Sequence, residues 1–189
     1  MSRKFIIWIA AIFFVAGSLL GLGDCGIRKV QNLESIERTV AEKFRDIEHI
    51  PPARLALLME LEPETVLVID CRKPEEFAIS RIPGAANLQD VDAVTTALAE
   101  PETPPEKIAI YCSVGYRSSR LATALKKAGI ENAVNVRGSI FAWANEDRPL
   151  ETPKGEPVEV VHPYNQFFGR LMNEGKAANL KDDSSQETP

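Results

Sequence analysis

The sequence predicts an α/β fold built on a parallel sheet. Residues 66–69 (Val-Leu-Val-Ile) and 107–111 (Lys-Ile-Ala-Ile-Tyr) form short apolar runs bounded by turn residues, the pattern of strands buried on both faces. A third run, 133–136, follows the same rhythm. Helical periodicity fills the intervals, and alternating strands and helices imply parallel pairing through right-handed crossovers.

The elements follow in order. Ile36, Val40, Phe44 and Ile47 recur at spacings of four, four and three, which predicts an amphipathic helix over residues 32–44. Residues 47–50 read as a short strand. Pro51 and Pro52 suit a helix start, and the helix is expected over 54–61, closed by Pro63. After the strand at 66–69, Pro74-Glu75-Glu76-Phe77 opens a short helix with acids in its first turn. Ile82-Pro83-Gly84 is a turn, 85–88 a short extended piece and 91–99 a helix, and Pro101, Pro104 and Pro105 then interrupt the chain. Leu121, Leu125 and Ala128 mark one face of a helix after Arg117, stopped by Gly129. Ser139 is placed to cap a last helix carrying Phe141 and Trp143.

The ends read differently. Arg3 and Lys4 precede eighteen uncharged residues, 5–22, the form of an export signal or membrane anchor. Three outcomes stand open: retention as an anchor, cleavage after Gly23, or lipidation at Cys25 in Leu-Gly-Asp-Cys. Each places the remaining chain outside the cytoplasm, because the positive end stays inside. Residues 1–25 are thus signal or anchor, 26–45 a helical extension and 46–150 the domain. Residues 151–172, with Val160, Val161, Tyr164, Phe167 and Phe168, are expected to pack back on the domain. The polar stretch 173–189 is expected to be disordered.

Composition bounds the chemistry. The 189 residues carry a net charge of −5, which argues against a nucleic-acid partner. Three cysteines without a CxxC pair, and two histidines, indicate neither a disulfide scaffold nor a metal centre, and no cofactor is expected. The membrane is expected to be met through the N-terminal segment only.

In open parallel sheets the active groups gather at the carboxyl ends of the strands. Asp70 ends one strand, Cys112 follows another and Arg137 follows a third, so all three belong to one edge. Cys112 opens the stretch Cys-Ser-Val-Gly-Tyr-Arg, which must turn from strand to helix. A thiol ionises more readily at a helix N-terminus or beside a cation. Gly115 permits the tight turn, the backbone N–H groups of 113–117 can form an anion nest, and Arg117 adds a charged fork suited to oxyanions. Cys112 is therefore the candidate nucleophile, with Ser113, Val114, Gly115, Tyr116 and Arg117 as the candidate binding loop.

CSVGYRS closely resembles the active-site loop of the rhodanese sulfurtransferases. VLVIDCRKPEEFAISRIPGAANL resembles the family's Asp-x-Arg, Pro-Glu-Glu-Phe and Ile-Pro-Gly-Ala hallmarks, and VNVRGSIFAW is similar to its closing segment. The likeness runs in order over about 61–150. It implies a three-layer α/β fold with a central five-stranded parallel sheet flanked by helices. It also implies that Cys112 takes a sulfane sulfur from an anionic donor such as thiosulfate and passes the persulfide sulfur to a thiol or cyanide-like acceptor. Arg117 and the loop amides would bind the donor, and Asp70 and Arg72 match the family's paired charges, thought of as bracing the loop. A four-residue interval between Cys112 and Arg117 is shorter than the five of tyrosine-type phosphatases. Phosphatase or arsenate reductase chemistry is the weaker enzyme reading.

Several positions depart from the pattern. Arg81 stands where histidine is frequent, Ser139 replaces a glycine, and Cys71 lies between Asp70 and Arg72. Strand alternation turns Cys71 to the face opposite Asp70, and it reads as core rather than as a resolving thiol. Arg137 adds either cationic potential over Cys112 or a solvated surface charge. His49, His162, Phe77, Phe141 and Trp143 read as packing or surface residues, and Ser118 and Ser119 as helix starters. The second functional reading is a binding module or persulfide carrier whose protein partner docks on the aromatic segment 160–171.

Overall fold

A computed structural model describes residues 32–100 and 104–180. The expected signal or anchor, Cys25 and residues 181–189 lie outside the described residues. No described helix is long and apolar enough to cross a membrane.

The main elements are α1 (Leu33–Lys43), β1 (His49–Ile50), α2 (Pro52–Leu61), β2 (Val66–Asp70), α3 (Pro74–Ile79), β3 (Ala86–Asn87) and α4 (Val91–Leu98). After these come β4 (Lys107–Tyr111), α5 (Tyr116–Lys127), β5 (Ala133–Val136) and α6 (Ser139–Asn145). Asn32 caps α1, accepting the Ser35 N–H at 2.9 Å. The second helix starts two residues before the expected Arg54, because Pro52 at its first turn has no N–H to satisfy.

The sheet has five strands in the order β1-β5-β4-β2-β3, and every pair is parallel. This is the expected α/β architecture, with helices on both faces. One face carries Val68, Ala109, Tyr111 and Val136 against Leu55, Ile140, Phe141 and Trp143. The other carries Ile69, Ile108 and Ile110 against Val94, Leu121 and Leu125. Each fully buried Leu or Ile contributes about 1.5–3 kcal/mol. Period-two alternation therefore fixes which side chains meet at the sheet's carboxyl edge.

Beyond residue 149 the chain folds back. Strands β6 (Leu150–Glu151) and β7 (Pro157–Val158) form an antiparallel pair, and α7 (Gln166–Gly169) follows. Val161, Leu171 and Met172 enter the same core as Trp143. The sequence reading starts disorder at Asn173, and the structure differs. Residues 173–180 are held against the domain, with the Val161 N–H on the Lys176 carbonyl and the Ala178 N–H on the Val161 carbonyl, both at 2.8 Å. Lys176 also pairs with Asp147 at 2.6 Å. Composition alone read this polar stretch as free, but its backbone groups find partners.

Candidate active site

Cys112 follows β4 at the carboxyl edge of the sheet and is 1% exposed. The next residues turn sharply, with Gly115 at φ 101, a left-handed value that favours glycine. A Cβ there would sit 3.3 Å from the Asn135 amide nitrogen. Helix α5 then begins at Tyr116 and directs its positive end toward the loop.

The Cys112 sulfur accepts the Gly115 N–H at 3.2 Å, and the Ser118 hydroxyl lies 3.5 Å away. That hydroxyl also reaches Asn135 Oδ1 at 2.6 Å, and Asn135 Nδ2 lies 3.0 Å from His49 Nδ1. Burial by itself would push the Cys112 thiol up. The neighbouring Cys71 thiol, the Arg117 charge and contacts from Ser118 outweigh it and hold Cys112 well below the ordinary thiol range. These contacts favour the charged form of Cys112.

Arg117 is anchored from across the fold. Its Nη1 donates to Glu76 Oε2 at 2.7 Å, and its Nη2 to Glu76 Oε1 at 2.8 Å and to Ser113 Oγ at 2.9 Å. Glu76 also accepts the Lys73 N–H at 3.0 Å, which closes the first turn of α3. Burial raises the Glu76 carboxyl, but the Arg117 hydrogen bonds, the Lys73 N–H and the charges of Arg117 and Arg72 bring it below the usual range. The helix-start role expected for Glu76 is joined by a second, holding the guanidinium beside the sulfur.

The segment after β5 clamps the loop from behind. Ser139 Oγ accepts the Cys112 N–H at 3.1 Å and donates to the Val136 carbonyl at 3.1 Å. The Ile140 and Phe141 N–H groups donate to the Cys112 and Ser113 carbonyls, each at 3.2 Å. Ser139 is thus not the N-cap expected from the sequence. Gly138 occupies that position, and Ser139 takes φ 54 inside the first turn so that its hydroxyl meets the loop.

Asp70 and Arg72 form a fully buried pair at 2.7 Å. Arg72 also donates to the Ser80 carbonyl, and Asn87 Nδ2 donates to the Asp70 and Arg72 carbonyls at 2.9 Å. Their direct contacts brace the chain from β2 through β3, and the Arg72 guanidinium also lies 5.8 Å from the ring of Tyr111, the residue before Cys112. Arg137 does not line the cavity over Cys112. Its guanidinium pairs with Glu37 on α1 at 3.7 Å, and half of the side chain is exposed. Of the two readings of Arg137, this placement matches the surface charge, offset by Glu37, rather than cationic potential over Cys112.

Cys112 lines a cavity of about 190 Å³ together with Val114, Tyr116, Arg117, Tyr164 and Phe168. Tyr164 holds its ring 5.2 Å from the Arg117 guanidinium and meets Phe168 edge-on at 5.5 Å. A second cleft, of about 420 Å³, has Cys71, Lys73, Gln89, Arg117 and Arg120 among its lining residues. Sequence reasoning assigned no part in the site to Ser118, Asn135, Tyr164 or Phe168. Asn135 left one signal, a polar side chain within the otherwise apolar run Ala-Val-Asn-Val. Among the described residues, no group of three His, Cys, Asp or Glu side chains could hold a metal ion.

A profile of the rhodanese-like domain matches residues 51–146. The chain is 34% identical over 93 residues to a sulfurtransferase of Allochromatium vinosum, spanning 49% of this chain and 84% of that protein. It is 36% identical over 83 residues to a probable adenylyltransferase/sulfurtransferase of Mycobacterium tuberculosis, spanning 43% of this chain but 21% of that protein. Among solved structures, thiosulfate sulfurtransferase from Pseudomonas aeruginosa is similar at TM-score 0.54 and 18% identity, over 66% of this chain and 23% of that one. The likeness there is one of fold.

Proposed function

Because the chain belongs to the rhodanese-like domain family, we infer that it transfers sulfane sulfur through a persulfide on Cys112. The observation that carries this reading is the state of the Cys112 sulfur. It is nearly buried, held toward the thiolate by Cys71, Arg117 and Ser118, and set in the wall of a cavity.

In the first half-reaction the Cys112 thiolate attacks the outer sulfur of a donor such as thiosulfate. The donor's S–S bond breaks, sulfite departs with the bonding pair, and Cys112–S–S⁻ remains. In the second, a thiol or cyanide acceptor attacks the outer sulfur and the Cys112 thiolate leaves. The Gly115 N–H supports negative charge on Cys112 in both halves. The Arg117 charge favours anionic species near the sulfur, although Glu76 holds both of its terminal nitrogens. Thiocyanate formation from thiosulfate and cyanide tests the reading: the Cys112→Ser protein is expected to form none, and undiminished turnover would overturn it.

The basic start and apolar residues 5–22 support a domain exported across the cytoplasmic membrane and working on its outer face. Small sulfur donors and acceptors are the proposed partners.

A further inference from the structure

Cys71 and Cys112 occupy equivalent places on neighbouring strands. The register of β2 and β4 sets Asp70 opposite Tyr111. The Cys71 N–H donates to the Tyr111 carbonyl at 3.0 Å. That bond completes the Asp70–Tyr111 bridge that ends the ladder, so Cys71 and Cys112 are the next residue along each chain. Adjacent strands lie about 4.8 Å apart, inside the roughly 4.4–6.8 Å Cα window of a disulfide. Both cysteines belong to the same apolar cluster on one face of the sheet, and both are free thiols. Each lies just past the last residue of its strand, where the ladder constrains the backbone least.

The two cysteines line different openings. Cys112 lines the aromatic-walled cavity, while Cys71 lines the larger cleft beside Lys73 and Arg120. A core cysteine would need neither the register nor the opening.

We propose that Cys71 is a resolving thiol that attacks persulfidated Cys112, expels hydrosulfide and leaves a Cys71–Cys112 disulfide. The proposal rests on the persulfide reading above. The Cys71 sulfur bonds to the Cys112 sulfur, the bond from Cys112 to its outer sulfur breaks, and the Cys71 proton leaves with that sulfur as HS⁻. The outer sulfur is reduced to the sulfide level and the Cys71 sulfur is oxidised, so this step needs no external oxidant. In the resting site the neighbouring Cys112 sulfur, burial and the Asp70 charge hold the Cys71 thiol well above the ordinary range. Persulfidation moves the charge of Cys112 to the outer sulfur and relaxes that restraint. A dithiol reductant entering the Cys71 cleft then attacks Cys71. Cys112, the better-stabilised thiolate, is the leaving group.

The test follows the full chain, reduced and freed of reductant, by intact mass and peptide mapping after a pulse of thiosulfate without acceptor. The wild-type adduct of one sulfur is expected to decay to a species two hydrogens lighter than the starting protein. One hydrosulfide should be released per chain, and the Cys71 and Cys112 peptides should be joined. Dithiothreitol should restore the starting mass. The Cys71→Ser adduct is expected to persist. An adduct that forms on the wild type and persists there without joined peptides overturns the resolving role and leaves the persulfide reading intact. Absence of any adduct on either protein overturns both.

Discussion

Arg117 sets both terminal guanidinium nitrogens on the Glu76 carboxylate, at 2.7 and 2.8 Å, so α3 fixes the cation beside Cys112. The family's Pro-Glu-Glu-Phe motif and its cysteine loop meet at this pair. A helix-start acid distant in sequence determines where the loop's positive charge stands.

Replacing Glu76 by alanine leaves Arg117 and Ser113 without their acceptor. Arg117 remains 30% exposed, so water recovers part of the loss. The expected destabilisation is about 2–3 kcal/mol, toward the low end for breaking such a pair. Urea unfolding at neutral pH measures it, and an unchanged midpoint would contradict the clamp.

The same carboxylate has a pH signature. Its folded value is depressed, so its contribution to stability is complete above the unfolded value, near ~4.3. It is lost as pH falls through the lower folded value. Melting temperatures recorded from neutral pH downward are expected to fall through this acid window in the wild type. Glu76→Gln should be less stable at neutral pH and flatter across the same window.

Cys112 should react with iodoacetamide as a thiolate well below the ordinary thiol value of about 8.5, since its folded value is depressed. Removing the donor in Cys71→Ala, or the charge in Arg117→Ala, is expected to move the acid limb of alkylation toward higher pH. Cys71→Ser keeps a donor and should shift it less. A wild-type limb at the ordinary thiol position would contradict the electrostatic account.

Ser139→Ala removes the acceptor of the buried Cys112 N–H. The expected cost is about 1–3 kcal/mol of stability, accompanied by slower sulfur transfer as the loop loses its clamp. Unfolding and steady-state rates on the same preparation test both.

Tyr164 and Phe168 narrow access to Cys112. Phe168→Ala is expected to speed labelling of Cys112 by a bulky aromatic maleimide more than by iodoacetamide. Equal acceleration of both reagents would indicate a general loosening of the loop instead.

The architecture was legible because parallel strands buried on both faces leave continuous apolar runs, and the runs at 66–69 and 107–111 fall within β2 and β4. Cys112 and its loop were legible because a strand end, a glycine turn and an arginine lie close in sequence. Other contacts were less visible because they are made across the fold. Glu76 meets Arg117 through α3, Asn135 meets Ser118 through β5, and Tyr164 arrives on a segment without strong periodicity. Cys71 read as core from its alternation, and alternation did place it on the face opposite Asp70. Period two gives the face of a side chain but not its neighbour on the next strand. That neighbour, Cys112, lies one step beyond the last paired residues of the β2–β4 register.

Intact mass after brief thiosulfate treatment reads sulfur loading of Cys112. The wild type is expected to gain one sulfur at Cys112, cyanide to remove it as thiocyanate, and Cys112→Ser to gain nothing. A wild-type chain that never acquires the sulfur, or a Cys112→Ser chain that acquires it equally, would contradict the account.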